Sequence, residues 1–244
     1  MELSNRLLEI AKFVPKNSKV LDVGTDHGYI PVYLVQNSIS SEVIASDISP
    51  ASLQKTIDYV DSLRLNDRIF PRLGNGLDII KPNEVDTVII AGMGGILISE
   101  ILDRNEELCK TIETFILQPM GASKELRQYL IENSFTIVDE GLAKEGRRFY
   151  EIIVAKKGES KQLEDIYLDI GYKLIEKNHP LLREFINRRI EDVEEIIAKF
   201  GVPKTCKARA RYKELKNLVK SYKEVERELE GNQHYRGNGE MGTQ

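Results

Sequence analysis

The 244-residue sequence has no tryptophan, two cysteines and three histidines. No run approaches the roughly 18 consecutive apolar residues of a membrane span. Cys109 and Cys206 lie far apart without a Cys-x-x-Cys neighbour, which excludes a disulfide framework. Together with His27, His179 and His234 they cannot build a structural zinc site of the usual spacing, and no metal is expected. The start, Met1-Glu2-Leu3-Ser4-Asn5-Arg6, lacks a basic segment followed by an apolar one, so a cytoplasmic chain is expected. An excess of positive charge is missing as well: 35 Lys and Arg against 39 Asp and Glu give −4, which at first argues against a nucleic-acid partner. What is present, 41% hydrophobic and 30% charged residues, suits one large domain, or a domain of about 150–160 residues with an appendage.

Between residue 19 and about residue 157, short β-branched runs alternate with helical stretches. Strands are expected over 19–23, 42–47, 68–72, 86–91 and 114–117, and helices over about 29–37, 51–64, 95–108 and 122–132. Several strands are apolar without alternation, as in a parallel sheet covered on both faces. Two further strand-like runs, 135–143 and 148–155, are joined by a short turn containing Gly146. Parallel strands need about a dozen connecting residues, so this pair must be antiparallel. The expected fold is therefore α/β: a mostly parallel seven-stranded sheet ending in an antiparallel hairpin, the arrangement of Rossmann-like methyltransferases.

Past Gly158 the strand signals stop. Leu163, Ile166, Tyr167, Ile170 and Leu174 form one helical stripe. A second runs from Leu182 to Phe200 and a third from Ala208 to Leu229, separated by the stop Gly201-Val202-Pro203. An antiparallel helical hairpin, close to a coiled coil, is expected. The division is 1–160 for the α/β domain, 161–230 for the helical hairpin or coiled-coil domain, and 231–244, with four glycines and almost nothing apolar, for a disordered tail.

The most informative segment is Val20-Leu21-Asp22-Val23-Gly24-Thr25-Asp26-His27-Gly28-Tyr29. Its spacing, Asp-x-Gly-x-x-x-Gly, departs from the Gly-x-Gly-x-x-Gly that places a helix N-terminus against a pyrophosphate. Asp22 would repel a phosphate and favours a cationic ligand. S-adenosylmethionine carries an ammonium and a sulfonium and no phosphate, and Gly24, Thr25 and Gly28 would line its approach. Asp47 ends the second strand, 19 residues beyond Gly28, where a carboxylate can accept both ribose hydroxyls, with Ile48 beside it. Asp47 alone would also serve as a helix cap, although Ser49 before Pro50 suits that role better. After the third strand, Asn75 and Gly76 can read an adenine edge. After the fourth comes Ala91-Gly92-Met93-Gly94-Gly95. Many amino-methylating enzymes have Asp/Asn-Pro-Pro-Tyr/Phe there, and its absence argues against an exocyclic amine as the target.

With these blocks and Leu3-Ser4-Asn5-Arg6-Leu7, Leu117-Gln118-Pro119-Met120 and Glu145-Gly146-Arg147-Arg148-Phe149-Tyr150-Glu151, residues 2–230 resemble the bacterial tRNA (adenine-22-N1)-methyltransferases, the TrmK family. The resemblance implies an S-adenosylmethionine-dependent Rossmann-like domain, a C-terminal helical coiled-coil domain, and methylation of N1 of an adenine in the D-loop region of tRNA.

Neutral adenine carries an in-plane lone pair on N1, so alignment with the methyl donor matters more than a strong base. On the target side, Asp26 or His27 is expected to accept an N6 proton or orient the base, and Tyr29 to stack or line the cleft. Met93 and Gly94 leave room beside the methyl group. N1 lies on the Watson–Crick edge, so a buried target must be extruded at an associated cost of a few kcal/mol, offset by phosphate contacts.

Partitioning the charge changes the first inference about nucleic acid. Residues 1–160 hold 18 basic and 24 acidic side chains, a net of −6, whereas 161–230 hold 16 and 14, a net of +2. From Lys199 to Lys223 nine bases face the single acid Glu214, a local +8 with Tyr212 and Tyr222 interleaved. Lys204, Lys207, Arg209, Arg211 and Lys213 are therefore candidate RNA contacts, as are Arg6, Arg147 and Arg148 near the cleft mouth. The competing functions are a small-molecule methyltransferase, which leaves the basic hairpin unexplained, and a non-catalytic RNA-binding protein, which leaves Asp22, Gly24, Asp47 and Asn75 unexplained. The oligomeric state stays open between a monomer and a weak dimer.

Overall fold

The computed structural model describes residues 3–201, 203 and 205–237. The chain divides into two units, Met1–Leu163 and Glu164–Gln244. Among the described residues, no helix is long and apolar enough to cross a membrane.

In the first unit, β1 (Ser18–Val23), β2 (Ser40–Asp47), β3 (Ile69–Leu73), β4 (Thr87–Met93), β5 (Thr114–Pro119), β6 (Phe135–Glu145) and β7 (Arg148–Lys157) form one sheet of order β3-β2-β1-β4-β5-β7-β6. β1 to β5 run parallel, and β7 is antiparallel to both β5 and β6. The apolar central runs behave as strands covered on both faces: every residue of β5 is buried, as are Val20, Leu21, Val88, Ile89 and Ile90. Pro71, which cannot donate to a ladder, sits on the edge strand β3. The expected sheet and terminal hairpin are thus borne out.

Helices α1 (Asn5–Lys12), α2 (Tyr29–Gln36), α3 (Pro50–Ser62), α4 (Gly95–Arg104), α5 (Glu106–Cys109) and α6 (Ser123–Glu132) accompany the sheet. Ser49 Oγ accepts from Ser52 N at 3.3 Å and caps α3, so Asp47 is released from that duty. The first helix, α1, was not legible in the alternation. Ser4 caps it by accepting from Leu7 N at 3.5 Å, and it buries Ile10 and Ala11. β6 carries a bulge at Val138, and its tip turns through Gly146, φ +59°, so that Glu145 faces Arg148.

Inside this unit Arg127 of α6 is fully buried between two carboxylates. Its Nε donates to Glu140 Oε1 at 2.6 Å and its Nη2 to Glu151 Oε2 at 2.8 Å. The two carboxylates hold the guanidinium charged against its burial.

The second unit contains α7 (Asp165–Ile170), α8 (Tyr172–Glu176), α9 (Leu182–Phe200) and α10 (Cys206–Gly237). α9 buries Leu182, Phe185, Ile186, Ile190 and Val193, and α10 buries Leu215, Val219, Tyr222, Val225 and Leu229. Phe200 lies 6.1 Å from Tyr212 between ring centroids, and Lys223 Nζ meets Glu194 Oε1 at 2.7 Å, so the helices pair antiparallel as expected. Two readings are corrected. Tyr222 does not interleave with the exposed bases: it is 1% exposed and its hydroxyl donates to Asp169, because it lies on the apolar stripe of α10. Helix α10 also runs through residues 231–237, where a disordered tail was expected, while 238–244 lie outside the described residues.

Candidate functional site

The carboxyl edge of β1 and β4 opens into a cleft of about 450 Å³, where an open α/β sheet binds its ligand. β1 delivers Asp22 to its floor. Gly24 then turns at φ +72°, and its N–H and that of Thr25 donate to Ser46 O at 2.8 and 2.9 Å, tying the turn to the end of β2. Asp26, His27 and Gly28 form one 3-10 turn, with His27 at φ +67° and Gly28 at φ +71°, before α2 begins at Tyr29. A Cβ on Gly28 would stand 2.8 Å from Thr56 Cγ2 of α3, so this glycine is required by close packing as well as by its dihedral.

Asp22 is 4% exposed, and burial pushes its carboxyl up to about 6. The like charge of Asp47 adds to the rise. The neighbouring Thr25 hydroxyl acts in the opposite direction and lowers it, although Thr25 Oγ1 is buried and meets no partner at full hydrogen-bond geometry. A buried carboxylate and a buried hydroxyl side by side, with no cationic side chain paired to Asp22 among the described residues, suit a ligand with a cationic, hydrogen-bonding end. The residues present therefore fit an amino-acid-bearing sulfonium, whereas the Asp22 carboxylate, with Asp47 near it, would repel the phosphates of a dinucleotide.

Of the sequence-predicted residues, the cleft brings together Asp22, Gly24, Thr25, Asp26, Tyr29, Ala91, Gly92 and Arg6. Asp47 ends β2 at the rim, its Oδ1 accepting from Ser49 N at 2.7 Å. Ile48 follows it, 69% exposed. Gly74 N donates to Asp47 O at 3.0 Å, which holds the loop of Asn75 and Gly76 beside them, although these four residues do not line the enclosed cavity. His27 also stands outside the cavity lining. Its ring stacks on Tyr29 at 5.3 Å and its Nδ1 lies 3.0 Å from Asp26 Oδ1, so it braces two residues that do line the cavity.

The loop after β4 is pinned at two points: Met120 N donates to Met93 O at 2.7 Å and Gly95 N to Gly121 O at 2.9 Å. A Cβ on Gly95 would stand 2.3 Å from Ala122 O, whereas one on Gly94 would meet nothing within 4 Å. Gly95 thus serves packing, and Gly94 keeps open space at the cleft mouth.

Sequence reasoning assigned no role to Gln118, Met120, Glu145 and Tyr150, and the structure places all four at the same wall. Gln118 Oε1 accepts from Arg6 Nη1 at 2.7 Å. Glu145 Oε1 accepts from Arg6 N at 3.0 Å, and this N–H, with the Ser4 hydroxyl, holds its carboxyl below the usual range. Arg6 and Arg148 both lie over the Tyr150 ring, 5.5 and 5.0 Å from its centroid. Arg6 is therefore part of the cleft wall, while Arg147 and Arg148 occupy the exposed hairpin tip.

In the second unit Lys207, Arg209, Arg211 and Lys213 are all exposed on α10. Arg211 pairs with Glu214 at 3.2 Å. Lys204 lies outside the described residues.

A parallel sheet closed by an antiparallel hairpin, with a cation-seeking glycine turn after β1 and an acid ending β2, defines a Rossmann-like methyltransferase. The family model for TrmK, tRNA (adenine(22)-N(1))-methyltransferase, matches residues 20–224, and the chain belongs to this family. It is 31% identical over 232 residues to the tRNA (adenine(22)-N(1))-methyltransferase of Bacillus subtilis (strain 168), covering 92% of this chain and 97% of that protein. The structure of M. capricolum TrmK in complex with S-adenosyl-homocysteine superposes with a TM-score of 0.77 at 28% identity, over 92% of this chain and 99% of that one. A Streptococcus pneumoniae protein in complex with S-adenosyl-L-methionine gives 0.82 at 30% identity, over 92% and 100%.

Proposed function

We propose that the protein methylates N1 of adenine 22 in tRNA, using S-adenosylmethionine as the donor. The observation that carries this reading is the buried Asp22 with the buried Thr25 hydroxyl beside it, a subsite for a cationic amino-acid group on a fold whose family methylates tRNA. When bound, S-adenosylmethionine supplies an electrophilic methyl group on a sulfonium. Asp22 opposes its positive charge, and the Thr25 hydroxyl beside it offers a further polar contact. Gly24, Gly28, Ala91 and Gly92 admit close approach, and Asp47, Ile48, Asn75 and Gly76 at the rim receive the adenosine half.

The chain's remaining task is orientation. Gly94 leaves space for a flat base, Met93 closes over the donor, and Tyr29 walls the opposite side with its plane fixed by His27. Asp26, ionisable and 64% exposed in its side chain, stands where it can accept the N6 proton after the new bond forms. Lys207, Arg209, Arg211 and Lys213 supply phosphate contacts, as do Arg147 and Arg148 at the hairpin tip.

The test is transfer of labelled methyl from S-adenosylmethionine to an unmodified tRNA transcript, alongside calorimetric binding of the cofactor. Label should enter tRNA, and Asp47→Ala should weaken binding at least about tenfold. Cofactor binding indifferent to Asp47→Ala would contradict the site.

A further inference from the structure

We infer that Gln118 is a positioning residue that presents the Arg6 guanidinium to a ring-nitrogen acceptor of the target adenine. The inference rests on the proposed function and assigns a role to two side chains at the cleft wall. Gln118 lies on β5 and is 0% exposed, a costly place for an amide unless its groups are satisfied. They are: Nε2 donates to Pro119 O at 2.8 Å, which turns Oε1 to accept from Arg6 Nη1 at 2.7 Å. The backbone of Arg6 is fixed independently, its N–H held by Glu145 at 3.0 Å. The Tyr150 ring lies along the guanidinium, 5.5 Å from its centroid. An arginine on a mobile surface searches many rotamers, whereas this one is held from three sides before any ligand arrives.

Its direction matters. A Cβ built on Gly92 would stand 3.7 Å from Arg6 Nη1, so the guanidinium overlooks the carboxyl end of β4, where a target base would enter. A guanidinium is donor-only, with five N–H groups, and one is used by Gln118. The adenine must keep N1 free for the methyl group, and N6 is itself a donor. The acceptors left to meet Arg6 are N7 and N3. Arg148, exposed at the hairpin tip over the same ring, is placed for the sugar-phosphate backbone instead.

Two measurements decide the matter. Gln118→Leu removes the acceptor at similar volume, and Gln118→Glu restores an acceptor for Arg6 while giving up the donor to Pro119 O. In steady-state methylation of tRNA, Gln118→Leu should lower kcat about tenfold or more with cofactor affinity unchanged, and Gln118→Glu should recover part of the loss. Arg6→Ala and the double variant should fall to the same level, since both break one unit. Independently, tRNA carrying 7-deazaadenosine or 3-deazaadenosine at the target should be a poor substrate for wild type in one of the two cases, with no further loss on Gln118→Leu. Thermal unfolding separates misfolding from mispositioning. Wild-type rates on both deaza substrates, or a Gln118→Leu enzyme with wild-type kcat, would overturn the inference. If wild type left the unsubstituted tRNA unmethylated, the parent reading would fail instead.

Discussion

Gly24 and Met93 pack so closely that a Cβ on Gly24 would stand 2.6 Å from Met93 Cε. The turn after β1 and the loop after β4 are therefore one packed unit. Gly24→Ala must adopt φ +72° with a side chain and displace Met93 toward the ligand space. We expect a stability loss of about 1 kcal/mol from the backbone, and a larger effect on the cofactor. Chemical denaturation and calorimetry on the same variant distinguish the two.

The Asp22 carboxyl, raised to about 6, makes cofactor binding pH-dependent. A cation binds the ionised form, so affinity should fall by up to about tenfold per pH unit as pH drops below 6. For the free protein the sign is opposite. The folded state holds the Asp22 proton more tightly than the unfolded chain, so this group lowers stability as pH rises from about 4 to 6. Asp22→Asn should therefore raise the stability of the unliganded protein at pH 7, by about 3 kcal/mol at most, while weakening cofactor binding. Titrations at pH 5 and 7.5 with both proteins test both signs.

Much of this was legible in the sequence. β-branched runs gave the strands, the short Gly146 connection gave the antiparallel hairpin, and the Asp-x-Gly-x-x-x-Gly spacing pointed to the wall that the structure confirms as a cleft. Other features were hidden for physical reasons. Arg6 and Gln118 are 112 positions apart, and no local pattern marks such a contact. α1 is short, and its amphipathic stripe does not resemble the strand–helix alternation that follows. Tyr222 looked like part of a basic face because charge runs are counted along the chain, whereas burial follows the helical stripe.

Arg127 lies fully buried between Glu140 and Glu151, a contact that composition alone does not mark. Arg127→Met leaves two carboxylates without their shared counter-ion. Its cost should be about 3–5 kcal/mol in urea unfolding at pH 7, smaller at acidic pH where the carboxylates can protonate.

Charge reversal of Lys207, Arg209 and Lys213 to Glu removes three exposed cations from α10. We expect KM for tRNA to rise at least about tenfold and the slope of log affinity against log salt to fall by about 3. Cofactor binding in the first unit should be unchanged. An unaltered salt slope would remove α10 from the RNA interface.

The central claim is the identity of the methylated atom. Unmodified tRNA incubated with the protein and S-adenosylmethionine can be digested with nuclease and mapped by mass spectrometry. The account predicts a single 1-methyladenosine, in the fragment containing position 22. N6-methyladenosine, methylation of another nucleoside, or 1-methyladenosine at a different position would contradict it.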